Sequence, residues 1–127
     1  MRNDKENVIV DKSLQFAVEI IRFSEKLEEE KKFVIARQVL KSGTSIGANV
    51  REAQNAESKA DFIHKLKIAA KEAEETDYWL LLCKLSVSYP YDELLHQNLV
   101  ELVKILSKNN QYFKTVIWYL ENDNSFN

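Results

Sequence analysis

The chain has 127 residues, enough for one hydrophobic core and too few for two, so a single domain over residues 1–127 is expected. Hydrophobic residues make up 45% and charged residues 30%, the balance of a chain that folds. A formal charge of −2 lacks the basic excess of a dedicated nucleic-acid binder, and the single cysteine, Cys83, rules out an internal disulfide or a thiolate cluster. The polar start, Met1 to Glu6, does not read as a secretory signal, and no apolar run approaches the roughly 20 residues that span a bilayer. A cytoplasmic protein without membrane contact is expected. Two glycines and one proline favour long helices with few connections, because β-rich chains spend both residue types on turns.

The first helix is expected over about 11–30, with Leu14, Ala17, Ile21, Ser24 and Leu27 at alternating spacings of three and four. It runs into Glu28-Glu29-Glu30-Lys31-Lys32, read as a solvated end and turn. The second, about 33–56, carries Val39, Gly43, Ile46, Val50 and Ala53 on one stripe. The third, about 58–85, opens on Ser58-Lys59-Ala60-Asp61, a capping box with Asp in place of Glu. Its stripe of Phe62, Leu66, Ala69, Ala73, Thr76, Leu80 and Cys83 runs for three heptads, as in an antiparallel bundle seam. The only proline, Pro90, marks the next turn and suits the first position of a fourth helix over about 91–121. That helix carries Leu95, Leu99, Leu102, Leu106, Phe113, Val116 and Leu120. Short links between long helices predict an all-α, antiparallel up-down-up-down four-helix bundle.

The stretch from Arg37 to Ala53, RQVLKSGTSIGANVREA, places glycine, serine, threonine and asparagine inside a helical pattern that such residues disfavour. With Ser58, Asp61-Phe62-Ile63, Ile68 to Thr76 and Tyr78-Trp79-Leu80, it resembles the signature of the 23S rRNA intervening-sequence proteins, or S23-type four-helix-bundle proteins. The resemblance runs from Lys12 through the fourth helix and is most specific between Arg37 and Leu80. It implies a bacterial cytoplasmic bundle that assembles into a homopentamer. More distantly, the chain is similar to the accessory variability proteins of diversity-generating retroelements, which implies nucleic acid or a nucleic-acid enzyme as partner.

Gly43 and Gly47 form a G-x-x-x-G too polar for a membrane helix, so either close approach of another helix or a kink is the reading. Asn49, Glu52, Asp61 and Glu72 belong to the family-like stretch; Asn49, Glu52 and Glu72 lie at the edge of the stripes, and a hydrogen-bonded network between helices two and three is expected of them, with a ligand or nucleic-acid site as the alternative. Arg37, Lys41, Arg51, Lys59, Lys65, Lys67 and Lys71 are the candidate nucleic-acid contacts, although Asp61 with Lys65 and Lys71 with Glu75 have the spacing of solvated pairs.

Glu93-x-x-His96 matches half of a di-iron motif. The second copy is missing, because His64 is preceded at that spacing by Asp61. No metal site, cofactor or catalytic residue is therefore expected, and no Ser-His-Asp set, phosphate-binding glycine loop or Cys-His pair can be assembled. Tyr78 to Cys83 and Val116 to Leu120 are apolar through more than a full turn, which demands a second buried contact. Tyr78, Trp79, Trp118 and Tyr119 are the candidate anchors of a subunit interface. Together these readings predict a non-catalytic oligomeric scaffold that presents a surface to RNA, DNA or a nucleic-acid enzyme. The alternative is a protein-interaction module with no nucleic-acid role.

Overall fold

The computed structural model of the chain describes residues 7–109, and within them four α-helices and no strand. They are α1 (Asn7–Glu29), α2 (Phe33–Ala53), α3 (Lys59–Leu85) and α4 (Glu93–Asn109). Successive helices pack side by side and α4 packs against α1, so the four form an all-α bundle with α1 and α3 at opposite corners. Phe113, Val116, Trp118, Tyr119 and Leu120 lie outside the described residues.

Local chemistry fixes most of the boundaries. α1 starts a turn earlier than its expected bound near 11, because Val10 is buried with Val50, Ala53, Leu66, Ala69 and Leu106 at one end of the core. Its other end is a Schellman turn, with Lys32 N–H donating to Leu27 O at 2.8 Å and Lys31 N–H to Glu28 O at 2.9 Å. Lys31 holds the left-handed position with φ 64°, where glycine is the usual occupant. α2 stops at Ala53 rather than 56, as the N–H groups of Gln54, Asn55 and Ala56 turn back to carbonyls three residues earlier.

Ser58 caps α3 by accepting from Asp61 N–H at 3.0 Å. The Asp61 carboxylate returns to the N–H of Glu57, one residue before the usual capping-box partner. α4 begins at Glu93, not at 91. Asp92 is its cap, accepting from Leu95 N–H at 3.0 Å, and Pro90 stays in the loop rather than opening the helix. At the same end of the bundle, Lys32 Nζ reaches Ser88 Oγ at 3.3 Å and lies 4.7 Å from the centre of the Tyr89 ring.

The core stripes of α2, α3 and α4 lie where periodicity puts them: Val39, Ile46 and Val50, then Leu66, Leu80 and Cys83, then Leu95, Leu99, Leu102 and Leu106. Phe62 is only half-buried. The expected stripe of α1 is corrected. Leu14 and Ile21 are 51% and 44% exposed, and the helix instead buries Val10, Ser13, Phe16, Ile20, Phe23, Ser24 and Leu27. α1 carries two apolar ridges at helical spacing, and the one with two phenylalanines removes more apolar area from water. Each such large side chain contributes about 1.5–3 kcal/mol when fully buried.

At Gly43 and Gly47, α1 packs directly against α2. A Cβ at Gly43 would lie 2.7–2.9 Å from three side-chain atoms of Ile20, and one at Gly47 3.2 Å from the backbone oxygen of Ser13. Of the two readings from the sequence, helix approach is the one that requires the glycines, and neither holds a positive φ.

Candidate functional site

The poor helix formers in the family-like stretch of α2 satisfy their polar groups on carbonyls of their own helix. Thr44 Oγ1 donates to Leu40 O at 2.7 Å, Ser45 Oγ to Lys41 O at 2.6 Å, and Asn49 Nδ2 to Ser45 O at 2.8 Å. Ser42 is fully buried and pairs with Thr76 of α3, whose Oγ1 lies 2.9 Å from Ser42 Oγ and 2.7 Å from Glu72 O. Thr76 has one proton for two acceptors, so the consistent arrangement has Ser42 donating to Thr76 and Thr76 donating to Glu72 O.

The expected network of Asn49, Glu52, Asp61 and Glu72 is not one connected set. Asn49 spends its amide on its own helix, and Asp61 serves the start of α3. Glu52 pairs with Lys65 at 3.8 Å, linking α2 to α3, so Lys65 meets Glu52 rather than the Asp61 on its own helix. The Glu72 carboxylate makes no hydrogen bond among the described residues, and burial, then the neighbouring Glu75, raises its pKa while Lys41 lowers it.

The seven candidate cations divide by helix. Arg37, Lys41 and Arg51 recur at helical spacing on the exposed side of α2, where the only acidic side chain is the Glu52 engaged by Lys65. Arg37 and Arg51 make no hydrogen bond or ion pair among the described residues. Lys59, Lys67 and Lys71 lie on α3, which also carries Asp61, Glu72, Glu74, Glu75 and Asp77. Of the interface candidates within the described residues, Tyr78 is 55% exposed, whereas Trp79 packs against the main core with its indole Nε1 buried and unpaired. The two rings meet edge to face at 5.2 Å.

Sequence reasoning missed the chain Asp77–His96–Tyr91. His96 Nε2 lies 2.6 Å from Asp77 Oδ1, and Tyr91 O–H lies 2.8 Å from His96 Nδ1. The consistent tautomer donates Nε2–H to Asp77 and accepts the tyrosine proton at Nδ1. A hydroxyl, imidazole and carboxylate in line have the form of an activated nucleophile. Here burial, then Glu93, Asp77 and Asp92, push the Tyr91 pKa up, so the phenol keeps its proton and the chain acts as a clasp between α3 and the start of α4. Only the short Glu93-x-x-His96 spacing pointed to His96. The partner it meets is 19 residues away. Among the described residues no three His, Cys, Asp or Glu side chains converge to hold a metal.

Cys83 is buried, and burial raises its thiol to about 11, which keeps it unreactive near neutral pH. A cleft of about 360 Å³ between α1 and α4, lined by Lys12, Gln15, Glu19 and Asn98 among others, is crossed by a hydrogen bond from Asn98 Nδ2 to Glu19 Oε2 at 3.0 Å. Among the described residues no helix is long and apolar enough to cross a membrane.

The family model described as 23S rRNA-intervening sequence protein matches residues 5–108. No curated protein matches. A crystal structure of a protein of unknown function from the S23 ribosomal protein family of Bacteroides thetaiotaomicron is 50% identical, with a TM-score of 0.75, and the match covers 80% of this chain and 94% of that one. The small-residue face of α2, the bundle and the family match over most of the length agree, and the chain belongs to the 23S rRNA-intervening sequence protein family.

Proposed function

We propose that the protein is a non-enzymatic, self-associating cytoplasmic scaffold, a pentamer by family likeness, whose α2 helices present cations to the phosphates of a nucleic acid. The observation that carries this reading is the row of Arg37, Lys41 and Arg51 on α2, exposed and outnumbering the acidic side chains of that helix three to one in a chain of net charge −2. A local row of this kind binds phosphate by releasing counterions, independently of sequence. Three contacts to single-stranded RNA correspond to a slope of about −2 in log K against log salt, or about 20-fold weaker binding between 50 and 200 mM salt. Repetition around an assembly raises the avidity further.

The test is solution mass and binding of a mixed-sequence RNA at low and high salt, with Arg37→Glu/Lys41→Glu/Arg51→Glu beside the parent. Low-salt binding that is lost at high salt and in the triple variant supports the platform. An assembly indifferent to RNA favours the second reading, a protein-only scaffold. The large apolar side chains left outside the core, Leu14, Val18, Ile21 and Tyr78 among them, support self-association under either reading.

A further inference from the structure

Phe33 is the first residue of α2, and it is 50% exposed. It lies outside the buried core, and among the described residues no other ring and no cation stacks on it. Its register sets it apart from the other exposed apolar side chains. Arg37 follows it by four residues and Lys41 by eight, so the three stand on one face of α2, about 6 Å apart along the axis. Both cations are exposed, and helical side chains lean toward the N-terminus, which turns Arg37 toward the Phe33 ring. No acidic residue precedes Glu52 on α2. In the stretch before it, Lys26, Lys31 and Lys32 match Glu28, Glu29 and Glu30 in number, so the approach to the ring carries no net negative charge.

A row of cations alone favours a duplex over a single strand, because the duplex carries its phosphates more densely. An exposed aromatic ring in the row reverses that order. In a duplex each base is covered on both faces by its neighbours, and only its edges line the grooves. An unpaired base offers a flat face, and stacking it on an aromatic side chain tightens binding by about 5- to 150-fold. A strand with one phosphate at Arg37 and the next at Lys41 can turn a base onto Phe33, whereas a duplex meets only the cations.

We infer that the α2 row takes single-stranded nucleic acid, with an unpaired base stacked on Phe33 and the neighbouring phosphates on Arg37 and Lys41. This rests on the phosphate binding proposed above and names the form of nucleic acid that the row holds. The contacts are to phosphates and to the face of a base, which every nucleotide has, so neither the sequence nor the sugar is read.

The experiment measures binding of one mixed-sequence strand to the full chain at low salt, as RNA, as DNA, and as the RNA annealed to its complement. The parent, Phe33→Ala and Phe33→Trp are compared, with folding checked by circular dichroism and assembly by solution mass. The parent is expected to bind both single strands alike and more tightly than the duplex, and Phe33→Trp to keep that order. Phe33→Ala is expected to lose about 5- to 150-fold on the strands and nothing on the duplex. Its salt slope stays that of the parent, because no charge is removed. A parent that prefers the duplex, or a Phe33→Ala protein that keeps the parent's preference, overturns the stacked base and leaves the cation row standing. Equal losses on strand and duplex with a changed solution mass make Phe33 a subunit contact and overturn the inference too. A strand bound only as RNA overturns the assignment to phosphate and base face. A parent that binds none of the three overturns the cation row as well.

Discussion

Replacing Gly43 by alanine sets helix propensity against packing. Alanine is intrinsically favoured over glycine inside a helix by about 1 kcal/mol. Yet the new methyl would come within 2.7, 2.8 and 2.9 Å of Cγ1, Cγ2 and Cδ1 of Ile20, a fully buried β-branched side chain of a type held to one main rotamer in helices. Overpacking of this kind costs about 1–3 kcal/mol, or more where three atoms are hit at once. The net expectation is a loss of about 1–2 kcal/mol, and with an unfolding entropy of about 2.1 cal/mol/K per residue over 127 residues the melting temperature falls by about 4–8 °C. The second half of the test is Ile20→Ala. Alone it should cost about 2–5 kcal/mol as a cavity. In that background the Gly43→Ala methyl has room, so the same substitution should become neutral or stabilising. Calorimetry or urea titration of the four proteins reads both terms. A Gly43→Ala protein at least as stable as the parent, or an effect that is the same with and without Ile20, would refute the close-approach argument.

Other perturbations probe different links. Thr76→Val should cost about 1–3 kcal/mol in urea unfolding because it strands the buried Ser42 hydroxyl, whereas Ser42→Ala/Thr76→Val should cost less than the sum of its parts; additive effects would mean the two hydroxyls are energetically independent. Lys31→Gly relieves a left-handed lysine in the α1–α2 turn and should raise stability by about 1 kcal/mol, visible as a higher melting temperature; no gain would mean that the turn is not strained. Glu72 has a carboxyl pKa raised above its ordinary 4.5, chiefly by burial, so its contribution to stability is fully present below that value and is lost as pH rises through the folded pKa. Glu72→Gln should therefore match or exceed the parent's melting temperature at pH 7, with the advantage vanishing below the ordinary carboxyl range. A lower melting temperature at pH 7 would show the carboxylate to be engaged by Lys41.

The legible parts of this fold are those with a single answer on each helix. α2, α3 and α4 each carry one continuous apolar stripe, and Val39–Ile46–Val50, Leu66–Leu80–Cys83 and Leu95–Leu106 are buried where periodicity places them. α1 carries two such ridges, and nothing local decides between Leu14–Ile21 and Phe16–Ile20–Phe23; only the competition for core area does. Boundaries were legible where a side chain caps its own backbone, as at Ser58. At α4 the proline drew attention from Asp92, whose carboxylate does the capping. The polar pairs were the least legible. Ser42 with Thr76, and Asp77 with His96, depend on the register of one helix against another, which side-chain spacing along one helix does not encode. For the glycines, sequence offered close helix approach or a kink, because a missing side chain has few uses inside a polar helix, and the contacts with Ile20 and Ser13 select the first. For the cations, sequence counted acidic neighbours and could not see that Lys65 would be taken by Glu52 of another helix.

The reach of Lys32 to Ser88 and Tyr89 makes the two ends of the bundle unequal as places to alter the chain. At that end the α1–α2 turn and the α3–α4 loop hold each other, so lengthening either one displaces a partner 56 residues away. The far end has one connection among the described residues, around Asn55–Ala56, between the last turn of α2 and the Ser58 cap of α3. A tag, a fluorophore or a permuted terminus placed there disturbs only its own turn.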